Sequence, residues 1–175
     1  MKWLVHFSFI GLFLVSCTEI SYKEPQPKGK KILSQIPGKL HGKYLLYEDG
    51  EPVDTLIVFN SGYKIGKDEV ASLSDSIVLK YYKGYYFLNM RTDFAWYLRV
   101  IKQQKNGDMV YLEMEGVPAN EEDEKKFIEK LSAETPVAQT VSDDKTYYVI
   151  DPSPKKLVEL IQKGFFKEQT FTRIK

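Results

Sequence analysis

The chain has 175 residues, 25 of them basic and 24 acidic, for a formal net charge of +1, with two histidines and one cysteine. That balance creates no long-range positive field to gather phosphate backbones, so nucleic acid is not an expected partner. A single cysteine excludes an internal disulfide framework and, with so few histidines, leaves too few of the usual zinc ligands, so no cofactor is expected.

The chain opens with Lys2 and then an apolar run from Trp3 to Val15, broken only by His6, Ser8 and Gly11. As a helix this run would reach roughly 20 Å, short of the roughly 30 Å hydrocarbon core of a bilayer. It has the length of the apolar region of a secretory signal instead. The run ends in Leu14-Val15-Ser16-Cys17, which resembles the lipobox of bacterial lipoproteins. The resemblance implies a signal peptide over residues 1–16, removal of that peptide, and attachment of diacylglycerol and an acyl chain such as palmitate at Cys17. It also implies a body held at the cell envelope. Thr18, rather than an aspartate, follows the cysteine, which points to the outer membrane where the cell has one. Without Lys2 the basic count falls from 25 to 24, equal to the acidic count.

Residues 17–34 read as the lipidated end and a flexible tether. Pro25, Pro27, Gly29 and the lysines around them leave only Ile20 and Tyr22 as sizeable apolar groups, too little burial to offset ordering. Stretched, Thr18 to Lys31 would span about 45–50 Å.

The remainder, 35–175, is expected to be one α+β domain. Strands are predicted at Lys43 to Tyr47, Thr55 to Asn60, Ser76 to Tyr82, Tyr85 to Arg91, Phe94 to Lys102 and Met109 to Glu113. Turn dipeptides such as Asp49-Gly50 and Lys83-Gly84 separate them, and such short connections require antiparallel pairing. This meander occupies 35–117. In 118–175 the order becomes helix, strand, helix, strand. Asn120 with Glu121, Glu122 and Asp123 makes a helix start, and Phe127, Ile128 and Leu131 its apolar stripe. Thr146 to Ile150 returns to strand. Ser153-Pro154 starts a second helix that Gly164 stops, and Phe165 to Ile174 is a last strand. The expected architecture is an antiparallel sheet of about 6–8 strands, flat or curled toward a barrel, with both helices packed on it.

Gly42-Lys43-Tyr44 opens the first strand of the meander, and in this the body resembles lipocalin-like β-barrels, whose first strand carries Gly-x-Trp. Tyr replaces Trp here, and a second helix and strand follow the first helix. The likeness implies an architecture for about half the chain and no ligand residues.

Searches for catalytic chemistry return little. A serine or cysteine hydrolase would need a base, and after processing His41 alone could serve, at the edge of a strand. Paired carboxylates suffice for a glycosidase; the densest acids are Asp143-Asp144 and Glu121 to Glu124, which read first as a turn and a solvated helix start. No glycine-rich phosphate loop occurs.

Aromatic residues make up 14% of the chain, and their placement can be reasoned. With Lys83-Gly84 as a two-residue loop, Tyr82 faces Tyr85, and Ile77, Leu79, Tyr81, Tyr86, Leu88 and Met90 share one face. Phe94, Trp96, Leu98 and Val100 are expected to continue that face as core, followed by Val110, Leu112 and Met114. The opposite face would then gather Lys80, Tyr82, Tyr85, Phe87, Asn89, Arg91, Tyr97, Arg99, Tyr111 and Glu113. It reads either as a recognition surface for a glycan or protein, centred on Tyr82, Tyr85, Tyr97 and Arg99, or as a face covered by the two helices. The functional expectation is a membrane-anchored envelope lipoprotein with a non-catalytic role in binding or envelope assembly. Two alternatives stay open, a carboxylate-based hydrolase and a lipocalin-like carrier of an apolar ligand.

Overall fold

The computed structural model describes residues 20–174 except 49, 68, 115, 119, 143 and 144. The leader, Cys17 and Asp143-Asp144 therefore lie outside the described residues. In chain order the elements are β1 (Ile20–Tyr22), β2 (Ile32–Leu33), a 3-10 turn (Gly38–Leu40), β3 (Gly42–Glu48), β4 (Glu51–Phe59), β5 (Gly62–Ile65) and β6 (Glu69–Ser72). The hairpin strands β7 (Ile77–Tyr82) and β8 (Tyr85–Arg91) follow, then β9 (Trp96–Gln103) and β10 (Met109–Met114). The last part contains α1 (Glu121–Ser132), β11 (Val137–Ser142), β12 (Lys145–Ile150), α2 (Pro154–Gln162) and β13 (Phe166–Ile174).

The expectation of an antiparallel sheet with two helices is met, but the strand count is not: there are 13 strands, and the fold is mostly β. The run β2-β7-β8-β9-β10-β13-β3-β4-β5-β6 is antiparallel throughout and curls into a half-barrel. From β9 a second branch leaves through β1 to β12 and β11. One edge of β9 pairs with β8; its other edge pairs with β10 from Arg99 to Gln103 and with β1 at Trp96. The pairing of β1 with β12 is parallel.

Local chemistry explains the elements that sequence made visible. Lys83 and Gly84 both adopt positive φ, 47° and 88°, which gives the two-residue loop the twist that antiparallel strands need. Tyr82 stands opposite Tyr85 as expected. The Asn120 side chain accepts the Asp123 N–H at 2.9 Å, and Ser153 accepts that of Lys156 with Pro154 in the first turn. These caps fix where α1 and α2 begin.

Three expectations are corrected. The tether begins inside the sheet: Ile20, Ser21 and Tyr22 are at most 1% exposed, held between β12 and β9. The stretch after it is a strap across the sheet. The Gln26 N–H donates to Asn89 Oδ1 at 2.6 Å, and Asn89 Nδ2 donates back to the Gln26 carbonyl at 2.8 Å. Lys80 Nζ donates to the carbonyls of Pro25 and Pro27 at 2.6 and 3.2 Å. Buried polar groups need such partners, and burial pushes the Lys80 ammonium below the usual lysine range. The third correction concerns the faces. Arg91 pairs with Trp96 across a four-residue loop, in which the Thr92 hydroxyl accepts the Ala95 N–H at 3.1 Å. Leu88 therefore stands opposite Arg99, and Phe87 opposite Val100. Trp96, Leu98 and Val100 lie on the face opposite Leu88, because a loop of even length sets even positions of β8 against odd positions of β9.

Both faces of the sheet are consequently apolar. On one, Phe87, Leu98, Val100, Leu112 and Met114 pack with β1, β12 and both helices; Leu131, Leu157 and Leu160 are fully buried there. On the concave face, Leu79, Tyr86, Leu88, Met109 and Phe171 pack with Tyr44, Leu56 and Val58 from across the half-barrel, and Ile36 and Leu40 fill one end.

Candidate functional site

The concave face does not close on itself. It encloses a groove of about 400 Å³, lined mainly by aliphatic side chains that include Leu46, Leu56, Val58, Leu79, Leu88 and Ile101. Small-molecule sites typically occupy roughly 300–1,000 Å³ and are apolar with a few placed polar groups. Here the charged and amide lining comes from β9, β10 and β13, with one tyrosine beside it: Arg99, Tyr111, Glu113 and Gln169; Tyr63 of β5 is a second lining tyrosine.

Register explains why these four gather. Arg99 stands opposite Glu113, and Tyr111 opposite Gln169. Residues two apart on one strand share a face, so Tyr111 and Glu113 both look into the groove. Arg99 Nε lies 3.5 Å from Glu113 Oε2, which also accepts the Tyr111 hydroxyl at 3.3 Å. Arg99 Nη1 donates to its neighbour's carbonyl, Leu98 O, at 3.1 Å. Burial raises the Tyr111 phenol above its ordinary range. Gln169 Nε2 donates to the Tyr47 carbonyl at 2.7 Å. The Tyr111 ring stacks on Phe171 at 5.1 Å and joins the polar cluster to the apolar floor.

The opposite end of the groove is plugged. Leu40 of the 3-10 turn is 2% exposed, and its carbonyl accepts the Tyr44 hydroxyl at 2.9 Å. Arg173 lies over the Tyr44 ring, 5.7 Å from its centre, and Nη2 donates to the His41 carbonyl at 2.6 Å. Gly42 sits beneath this guanidinium at φ 148°, where a Cβ would fall 3.1 Å from Arg173 Nη2. β3, β13 and the 3-10 turn are thus locked together at this end.

The residues singled out from sequence divide. Tyr97 and Arg99 belong to the groove side of β9, with Tyr111 and Glu113 beside them on β10. Tyr82 and Tyr85 pack against the helix-side core, where Phe87 and Asn89 are fully buried. The four-residue recognition surface is therefore not one surface, and the helix-covered reading holds for half of it. His41 is a structural group whose Nε2 bonds the Ile36 carbonyl at 2.8 Å. Glu122 pairs with Lys126 on exposed helix, and Glu124 accepts the Tyr148 hydroxyl. Sequence reasoning missed Ile36, Leu40, Met109, Gln169 and Phe171 as groove residues. The alternation Phe166, Glu168, Thr170 against Lys167, Gln169, Phe171 held too weak a signal to orient β13.

Chemically the groove offers hydrophobic burial and a hydrogen-bonding end without net charge. Among the described lining residues Glu113 is the one carboxylate, whereas acid–base hydrolysis of glycosides requires a pair. No group of three metal-ligating side chains is found among the described residues, and no described helix is long and apolar enough to cross a membrane. Comparison with known proteins finds no matching family model, no similar curated protein and no similar solved structure.

Proposed function

We propose that the protein is a non-catalytic, lipid-anchored envelope lipoprotein, tethered through Cys17 to the outer membrane, whose half-barrel binds a small amphiphile. The observation that carries the binding role is the groove itself: about 400 Å³ of mainly apolar space with its charged and amide groups gathered on β9, β10 and β13. An apolar chain laid along Leu79, Leu88 and Ile101 gains about 25 cal/mol for each Å² removed from water. At the polar end, Arg99 and Tyr111 supply donors while Glu113 and Gln169 supply acceptors. Arg99 and Glu113 cancel in charge, so the set favours an uncharged or zwitterionic head over a bare anion. Among the alternatives drawn from sequence, the groove supports the carrier of an apolar ligand. The anchoring part rests on Leu14-Val15-Ser16-Cys17.

Solvent extraction of the purified protein followed by mass spectrometry tests the binding role. A single-chain amphiphile recovered near one per chain from the wild type, and not from Leu88→Trp, is the expected outcome. Recovery of the same lipids from both proteins would contradict it. Labelled palmitate tests the anchor: incorporation should be lost in Cys17→Ser.

A further inference from the structure

A second recess of about 350 Å³ lies on the helix side, between the β7–β8 turn, β9 and α2, lined by Lys83, Tyr85, Lys102, Lys155, Glu159 and Gln162. Its charges are unbalanced. Glu159 is the one acid lining it, and it already bonds Lys156 at 2.9 Å from outside the recess, with Lys155 at 3.9 Å. Among the described residues, Lys83 and Lys102 meet aromatic rings and no carboxylate: Lys83 Nζ stands 5.6 Å from the Tyr82 ring centre and Lys102 Nζ 5.6 Å from that of Tyr85. Lys30 adds a further cation at 4.7 Å from Tyr82. In a chain that is nearly neutral, this is a local concentration of positive charge around an aromatic floor.

Strand directions fix which end of the molecule holds it. β1 runs antiparallel to β9 with Tyr22 opposite Trp96, so the chain enters β1 from the end where β9 reaches Gln103. Tyr86 stands opposite Ile101, which puts the Lys83–Gly84 turn at that same end. The span from Trp96 to Lys102 along β9 is about 20 Å. Cys17 to Tyr22 can cover at most about 18 Å. A lipid on Cys17 would therefore be confined to within about 18 Å of Tyr22, on a chain that enters β1 from the lysine-bearing end of the sheet.

We propose that this recess binds the phosphate of an anionic phospholipid headgroup, seating the body on the membrane that its anchor enters. Three ammonium groups can donate to the phosphate oxygens, Gln162 can bond a headgroup hydroxyl, and Tyr85 packs against the glycerol carbons. The assignment of the ligand to the bilayer rests on the lipoprotein reading; the phosphate chemistry rests on the recess alone.

The test is lysine acylation by a water-soluble reagent, read by mass spectrometry, on the purified chain in vesicles of phosphatidylcholine with or without phosphatidylglycerol. Lys83, Lys102 and Lys155 should lose reactivity about fivefold on phosphatidylglycerol, the factor one basic group gains at an anionic surface. Lys167, at the far end of β13, should not change. Equal reactivity in both vesicles overturns the proposal. Protection by inorganic phosphate in detergent, without protection by phosphatidylglycerol, makes the recess a site for free phosphate and also overturns the headgroup assignment. The mass of the N-terminal peptide reports separately whether Cys17 is lipidated. If it is not, the anchor reading fails, and the same vesicles added to the soluble chain still decide the recess.

Discussion

The two faces of the central strands are built from the same residue types and are packed differently. On the helix side, Phe87, Val100 and Leu112 are sealed by β1, the N-terminal strap and both helices, and even Lys80 and Asn89 are buried with backbone partners. On the concave side, Leu79, Leu88 and Ile101 face a groove that is left unfilled. Unfilled apolar space forgoes packing and costs stability. The helix side is thus the more completely packed of the two, and the concave side stays open.

The largest expected effect separates these roles. Phe87→Ala should destabilise by about 3–5 kcal/mol, because it opens a cavity among fully buried neighbours. Ile101→Ala removes atoms that already border open space and should cost less than about 2 kcal/mol. Denaturant unfolding gives both numbers, and equal losses would erase the distinction between the faces.

Next comes the strap. Asn89→Leu leaves the Gln26 N–H and carbonyl buried without their partner, a cost of about 1–3 kcal/mol. It should also open the Lys23–Lys31 region to trypsin. Unchanged melting together with unchanged cleavage would mean that the strap contributes nothing to the sealed face.

The smallest effect is on pH dependence. Burial, with the Glu124 carboxylate beside it, pushes Tyr148 up to about 12, and burial raises Tyr111 and Tyr44 as well. Unfolded tyrosines lose their protons near pH 10, so above that value the folded state holds protons that the unfolded chain has released. The stabilisation is complete below pH 10 and is lost as pH rises from there through Tyr148's value. Lys80 opposes this trend: its lowered folded value means that alkali relieves the cost of burying its charge. Tyr148→Phe should flatten the alkaline decline in melting temperature, and an unchanged slope would remove that tyrosine from the account.

Sequence made legible what local chemistry decides. The caps at Asn120 and Ser153, the stop at Gly164 and the Lys83-Gly84 hairpin all stand where their residue types placed them, and six predicted strands of the meander are present. What it hid depends on partners distant in the chain. Ile20–Tyr22 looked too short and too isolated to be structured because its neighbours, Trp96 and Tyr148, arrive much later. The groove was obscured by one turn. Arg91 pairs with Trp96, so even positions of β8 stand opposite odd positions of β9, and carrying the even-numbered face of β8 straight into β9 put Leu98 and Val100 on the wrong side. Arg99, Tyr111 and Glu113 were grouped correctly as a polar and aromatic set, yet nothing local revealed that they border a cavity rather than solvent.

The central claim is that the concave groove is a binding site and not a packing defect. Titration of delipidated protein with a single-chain amphiphile carrying an environment-sensitive fluorophore tests it most directly, with Leu88→Trp as the filled-groove comparison. Filling a cavity commonly adds about 0.5–2 kcal/mol of stability, so this variant should melt at or above the wild-type temperature. The account predicts saturable binding at one molecule per chain in the wild type and its loss in Leu88→Trp. Equal binding by the two proteins, or a signal that never saturates, would contradict it.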